Sequence, residues 1–321
     1  MSTTDVWLPF SPDELSDLPE SFAYRHWNGE DEYPADPADC AFYVVPYLKR
    51  PDVVLRPLPL MTGVRVVQTL TAGVDHMLPG LPDLAPGARL CNAGSLHNTS
   101  TAELALTLTL AALRGVPDAV RAQGEGRWAQ GVRPALADRR VLILGYGGIG
   151  GAIEDRLLPF EVAEVIRVAS RARTAPRGPV HGTDELPELL PRADVVIVAT
   201  PLTPATRGLV GAEFLARMPD GALLVNVGRG PVVDTKALLA ELESGRLLAA
   251  LDVTDPEPLP PGHPLWGAPG VLITPHVGGP TTAFRPRAER LLRAQLARFA
   301  AGEPVAHVVA VGGGGSADPR R

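Results

Sequence analysis

At 321 residues, with 45% hydrophobic and 21% charged residues, the chain is long enough for two ordinary domains with sizeable cores. A net charge of −6 argues against a nucleic-acid or anionic-membrane surface as its main partner, and no apolar run approaches the roughly 20 residues of a membrane span. Cys40 and Cys91 form no metal or redox spacing, and no basic segment precedes an apolar run near the start, so the expectation is a cytoplasmic protein without a metal.

Residues 1–40 are acidic, proline-rich and weakly patterned. Strands are predicted at 41–45, 64–69 and 89–92, with a glycine-bearing turn, Thr71-Ala72-Gly73-Val74, after the second. That turn reads equally as a plain strand-to-helix connection. Ser100 and Glu103 have capping-box spacing, which predicts a helix from Thr101. Its body, 104–113, is apolar on nearly every face, as expected of a helix buried between domains or subunits. The glycines at 115, 124, 126 and 131 predict a looser connection. From Val141 onward, apolar runs at 141–144, 165–169, 194–199, 222–226, 248–252 and 271–274 alternate with helical segments such as 234–244. Such alternation builds a parallel doubly wound α/β sheet whose strand C-terminal ends share one edge. A last helix is predicted at 288–300, and 312–321 is expected to be disordered.

The run 141–144 leads into Gly145-Tyr146-Gly147-Gly148-Ile149-Gly150, a G-x-G-x-x-G between strand and helix. The first glycine permits the tight turn, the second admits a pyrophosphate to the backbone, and the third lets helix pack on strand. The helix start then offers free N–H groups and a positive dipole end to that phosphate. About twenty residues further, an NAD-preferring fold places a carboxylate on the ribose 2′-hydroxyl. Here the strand runs into Ser170, Arg171 and Arg173 with no carboxylate. Ser170 and Arg171 suit a 2′-phosphate and favour NADP (NADPH) over NAD; ordinary solvated arginines are the alternative.

Three later strand ends carry polar residues. Arg229 stands between Gly228 and Gly230, Asp252 ends its strand ahead of Glu257 in a proline-rich loop, and His276 follows the last strand. Singly, each reads as an ion pair, a helix cap or a turn residue. Together they fall on the edge where a coenzyme lies.

The combination G-Y-G-G-I-G, P-L-T-P-A-T-R-G-L-V (201–210), V-N-V-G-R-G, D-P-E-P-L-P, H-P-L-W and T-P-H-V-G-G resembles the D-isomer-specific 2-hydroxyacid dehydrogenase family over roughly residues 65–300. The resemblance implies a Rossmann doubly wound parallel sheet, residues 100–280, inserted into a smaller flavodoxin-like α/β substrate domain, residues 1–99 plus 281–321. It implies a homodimer built largely on the nucleotide domains and the 100–113 helix. Its catalytic roles fall on Arg229, Glu257 and His276, and its carboxylate-binding loop on Thr71, Ala72, Gly73 and Val74. Its coenzyme contacts fall on the glycine motif, Thr200, Pro201, Val227, Gly228 and Gly278, with Asp252 accepting from the nicotinamide carboxamide. The implied activity is NAD(P)H-dependent reduction of a small 2-keto acid, of glyoxylate or hydroxypyruvate type, to the D-2-hydroxy acid.

The chemistry agrees with those roles. Arginine forks onto a carboxylate and polarises a carbonyl. Histidine titrates near neutrality and hands over a proton, and a carboxylate on its other nitrogen fixes the tautomer. A nucleotide-sensing corepressor-like binding protein and a phosphite-type dehydrogenase remain alternatives, since relatives of both kinds keep the three residues. The chain departs from the family after Gly279, where Pro286 is expected to delay the last helix. Arg285 and Arg287 would then lie near a cleft mouth, able to admit a second anionic group of the substrate or simply solvated.

Overall fold

The computed structural model describes residues 4–30 and 32–313; most of the expected disordered tail, 314–321, lies outside the described residues. In chain order the strands are β1 Thr4–Leu8, β2 Phe22–His26, β3 Cys40–Val44, β4 Val66–Gln68, β5 Arg89–Cys91, β6 Arg140–Leu144, β7 Glu164–Val168, β8 Arg173–Ala175, β9 Gly178–Val180, β10 Val195–Val198, β11 Leu223–Asn226, β12 Leu248–Leu251, β13 Val271–Ile273 and β14 Val308–Val311. Contacts group the chain into two compact units, one of residues up to His97 together with those from Thr282 onward, the other Asn98–Thr281.

In the Asn98–Thr281 unit the sheet order is β13-β12-β11-β10-β6-β7, every pair parallel. The chain runs outward from β6 to β7, then returns past β6 to β10, so the order reverses between β6 and β10. A crevice opens at such a reversal, outside the strand C-termini. Both faces of the sheet are apolar, which explains the unbroken apolar runs. Leu142, Leu144, Val196, Val198 and Leu224 enter one core; Val141, Ile143, Val195, Ile197 and Val225 enter the other. Helices must therefore cover both sides. Each of these fully buried side chains stabilises the fold by about 2 kcal/mol relative to exposure.

The helix expected from Thr101 starts three residues earlier, at Asn98. Ser100 lies inside its first turn, where its hydroxyl meets Thr281 Oγ1 at 3.0 Å rather than serving as a cap. Ala102, Ala105, Leu106, Leu108 and Leu113 pack against the second core, while Glu103 and Thr107 are exposed. The looser connection after it begins instead with a further helix, Val116–Gly124.

The other unit carries a sheet of order β14-β5-β4-β3-β1-β2, parallel except for β14, which runs antiparallel to β5 along the edge. Apart from that edge strand, its winding is flavodoxin-like. β1 and β2 fall in the stretch whose sequence is weakly patterned. On one face of β1, Trp7 meets Trp27 and Tyr43 with ring centroids 5.8 and 6.5 Å apart, while Val6 and Leu8 enter the opposite core with Phe42 and Leu292. The last helix spans Phe284–Ala300, so Pro286 does not delay it. A proline in the first turn lacks only an N–H that has no intrahelical partner there. Among the described residues no helix is long and apolar enough to cross a membrane.

Candidate active site

The glycine turn follows β6 at the point where strand order reverses. Gly145 has φ +105, and a Cβ there would sit 2.6 Å from Thr200 N at the end of β10. A Cβ on Gly150 would sit 2.5 Å from Gly145 O, so only glycine lets the helix Gly148–Leu157 approach the strand. At Gly147 a Cβ would meet nothing within 4 Å, which leaves open space over the backbone. No side chain caps this helix, and its first N–H groups and positive dipole end face the turn. This cradle has the form a dinucleotide pyrophosphate needs. β7 ends at Val168, and Ser170 just beyond it is exposed, as are Arg171 and Arg173; Arg173 Nη2 donates to Tyr146 O at 2.5 Å.

Next along the same edge, β11 ends in Asn226, which is fully buried. Its Oδ1 accepts from Gly228 N at 3.0 Å and its Nδ2 donates to Arg229 O at 3.1 Å. The side chain thus staples the turn that carries Arg229. The flanking glycines are pressed against neighbouring backbone: a Cβ on Gly228 would lie 2.7 Å from Thr200 O, and one on Gly230 1.8 Å from Thr254 O. Thr200 and Val227 are buried beside this turn, and Pro201 is exposed.

Asp252 follows directly on β12 and is 3% exposed. Its Oδ1 accepts from Thr274 Oγ1 at 2.6 Å and Val277 N at 2.9 Å, and its Oδ2 from Gly278 N at 3.0 Å. Its backbone carbonyl accepts from His276 N at 2.8 Å. These four bonds hold the loop after β13 with His276 at φ +53, a conformation uncommon outside glycine. In that posture His276 Nδ1 lies 2.5 Å from Glu257 Oε1, which is carried by the proline-flanked loop after β12. The hydrogen bond to Glu257 raises the histidine pKa above 6.5; partial burial opposes it, and the Arg229 charge also pulls it down. The structure therefore brings Arg229, Asp252, Glu257 and His276 to one edge of one sheet. Asn226 and Thr274 belong to the same set and escape sequence reasoning; a polar residue closing an apolar strand is the only signal Asn226 gives.

The turn Thr71–Val74 lies in the other unit, just after β4. Thr71 Oγ1 donates to Gly73 O at 2.8 Å, and Asn92 Nδ2 donates to Ala72 O at 3.2 Å, which fixes the turn's shape. In that unit Arg285 is spent on carboxylates, 2.9 Å from Glu14 and 2.6 Å from Glu289, with its guanidinium 4.0 Å from the Phe10 ring centre. Arg285 is thus paired on both sides within its own unit. Among the described residues no His, Cys, Asp and Glu cluster could hold a metal.

The model of the D-isomer specific 2-hydroxyacid dehydrogenase NAD binding domain matches residues 106–278. The human glyoxylate reductase/hydroxypyruvate reductase is 34% identical over 252 residues, 76% of each chain. The D-isomer specific 2-hydroxyacid dehydrogenase of Xanthobacter autotrophicus Py2, solved with NADPH and MES, superposes with TM-score 0.80 at 32% identity, over 100% of this chain and 99% of that one. The NADPH-dependent glyoxylate/hydroxypyruvate reductase of Sinorhizobium meliloti, solved with NADP and sulfate, gives 0.79 at 28% identity, over 95% and 98%. With the glycine cradle and the polar strand ends in place, the chain belongs to the D-isomer specific 2-hydroxyacid dehydrogenase family of nicotinamide-dependent oxidoreductases.

Proposed function

We propose that this protein reduces a small 2-keto acid of glyoxylate or hydroxypyruvate type to the D-2-hydroxy acid, with NADPH as the preferred coenzyme. The observation that carries the reading is the His276–Glu257 hydrogen bond of 2.5 Å at a strand edge shared with Arg229. When bound, the nicotinamide supplies the hydride that C2 of the keto acid accepts. Arg229 forks onto the substrate carboxylate and polarises the carbonyl. With Nδ1 committed to Glu257, His276 carries the transferable proton on Nε2 and gives it to the carbonyl oxygen. The histidine ends neutral and the product leaves as the hydroxy acid. Asp252 has roughly one of four acceptor positions left for a carboxamide donor.

NADPH rather than NADH is supported by the exposed Ser170, Arg171 and Arg173 with no carboxylate at the end of β7, and by the NADPH and NADP bound in the two solved relatives. The substrate class is supported by the human and Sinorhizobium reductases. A homodimer is supported by Trp128 and Val132, four residues apart on one loop and 93% and 101% exposed in the single chain, since neighbouring exposed apolar side chains, unlike scattered ones, mark interaction surfaces.

The test is the oxidation of NADPH, with NADH in parallel, against a panel of keto acids. Replacing His276 with asparagine is expected to lower reduction by about 10²–10⁴-fold and to leave the coenzyme Kd unchanged. Loss of coenzyme binding together with activity would assign His276 a structural role and overturn the mechanism.

A further inference from the structure

Beneath the glycine turn lies a buried ionic network that no step above uses. Tyr146 sits between the first two glycines, and its side chain turns away from the open face. Its hydroxyl donates to Oε2 of Glu154, a carboxylate 1% exposed in the second turn of the helix Gly148–Leu157. Arg167 on β7 grips the same carboxylate: its Nε lies 3.1 and 3.0 Å from the two oxygens, and its Nη2 also donates to Oε1. The Arg167 guanidinium lies 5.8 Å from the centre of the Tyr146 ring. Turn, helix and strand are thus tied at one carboxylate.

The turn has reason to need such a tie. Of its seven residues, 145–151, five are glycine. Glycine supplies the backbone freedom a phosphate cradle requires, and for the same reason it leaves the cradle's own conformation underdetermined. Tyr146 is the side chain of this stretch with a hydrogen-bonding tip, and it is anchored to the very helix whose N-terminus faces the phosphate. The Tyr146 backbone is held as well: its N–H and that of Gly145 both donate to Val168 O at 2.9 Å, and its carbonyl accepts from Arg173. A buried carboxylate–guanidinium pair is a poor way to gain stability, because apolar residues of equal volume do as well or better. Its placement against the side chain that anchors a glycine-rich turn has a different use.

We propose that Glu154 and Arg167 are positioning residues for the coenzyme: through the Tyr146 hydroxyl they hold the glycine turn in its phosphate-receiving form before the dinucleotide arrives. The inference rests on the dinucleotide reading of that turn. Order established in advance need not be created on binding, so the network raises affinity without touching the ligand.

The experiment compares Tyr146→Phe and Glu154→Gln with the wild-type full chain, none carrying bound coenzyme at the start. Kd for NADPH and for NADH is measured by fluorescence titration, thermal melting is recorded without ligand, and hydrogen exchange is followed at the amides of 145–151. Both Kd values are expected to rise about tenfold, the equivalent of one lost charge-assisted hydrogen bond, with faster exchange at the turn. Tyr146→Phe keeps the ring and the ion pair, so it reads the idea even where Glu154→Gln lowers the melting temperature. Unchanged Kd values and unchanged exchange in Tyr146→Phe overturn the proposal and leave the network a purely structural one. A wild-type chain that binds neither dinucleotide instead overturns the reading of the turn itself.

Discussion

Replacing Glu257 with glutamine removes a charge from the proposed catalytic edge while keeping an acceptor for His276. The carboxylate lies 2.5 Å from Nδ1, and its hydrogen bond is the largest cause of the raised imidazole pKa. A hydrogen bond to a charged group contributes about 1.5–3 kcal/mol when shielded from water. Here the histidine and glutamate side chains are 44% and 38% exposed, and solvent screening brings such a pair down to about 1 kcal/mol. At about 1.4 kcal/mol per factor of ten, keto-acid reduction should fall by at most about fivefold, reaching that limit on the alkaline side of the raised pKa. The pH dependence carries the sharper test. In the proposed mechanism reduction needs the imidazolium; its pKa is raised above 6.5 in the folded protein, so activity is expected to be full below that range and lost as pH rises through the raised value. Without the carboxylate the descending limb moves to lower pH, and the two enzymes converge where both histidines are protonated. Initial rates of NADPH oxidation at saturating keto acid, from about pH 5 to about pH 9, measure both limbs. A uniform loss at every pH, with the limb unmoved, would refute the claim that Glu257 acts through the histidine's charge.

Two other substitutions probe the scaffold under the site. Asp252→Asn replaces one acceptor oxygen by a donor, so the bonds from Val277 N and Gly278 N cannot both be kept; kcat is expected to fall about tenfold to a hundredfold as the His276 loop shifts, and an unchanged kcat in steady-state kinetics would deny Asp252 that role. Gly230→Ala places a Cβ 1.8 Å from Thr254 O and 2.1 Å from its carbonyl carbon. Backbone must move to relieve this, a loss expected to exceed about 4 kcal/mol in urea unfolding or to prevent folding altogether.

What the sequence discloses about the fold follows from how each strand is buried. β6, β10 and β11 have both faces in apolar cores, so unbroken runs such as Val141–Leu144 announce them without help from periodicity. β1 and β2 are different. Trp7 of β1 packs on Trp27, Tyr33 and Tyr43 and Phe22 of β2 on Phe299, all brought from scattered positions, and β2 is a sheet edge with its last two residues exposed. Nothing local marks them as strands. β14 is equally opaque, since it owes its existence to pairing with β5 more than two hundred residues earlier. The two helix starts fail for a related reason. Ser100 has the spacing of a cap and finds Thr281 instead, while Pro286 reads as a barrier and occupies a first-turn position where it obstructs nothing.

The candidate site divides along the same line. Arg229, Glu257 and His276 each follow a strand that is easy to read, so chain order alone assigns them to the C-terminal edge of a parallel sheet. Which groups hold them there is a matter of register between strands. Asn226 staples the Arg229 turn from its own strand end, through bonds to Gly228 N and Arg229 O, whereas Asp252 fixes His276 because β12 lies beside β13. Glu154 and Arg167 meet only because the helix after β6 crosses back toward β7. A side chain that performs chemistry must project from a rigid strand end at a recognisable spacing. One that only orients it can come from any strand the fold places next door. The supporting residues are therefore the part of such a site that coordinates reveal and motifs do not, and they set how closely the reacting groups keep their geometry.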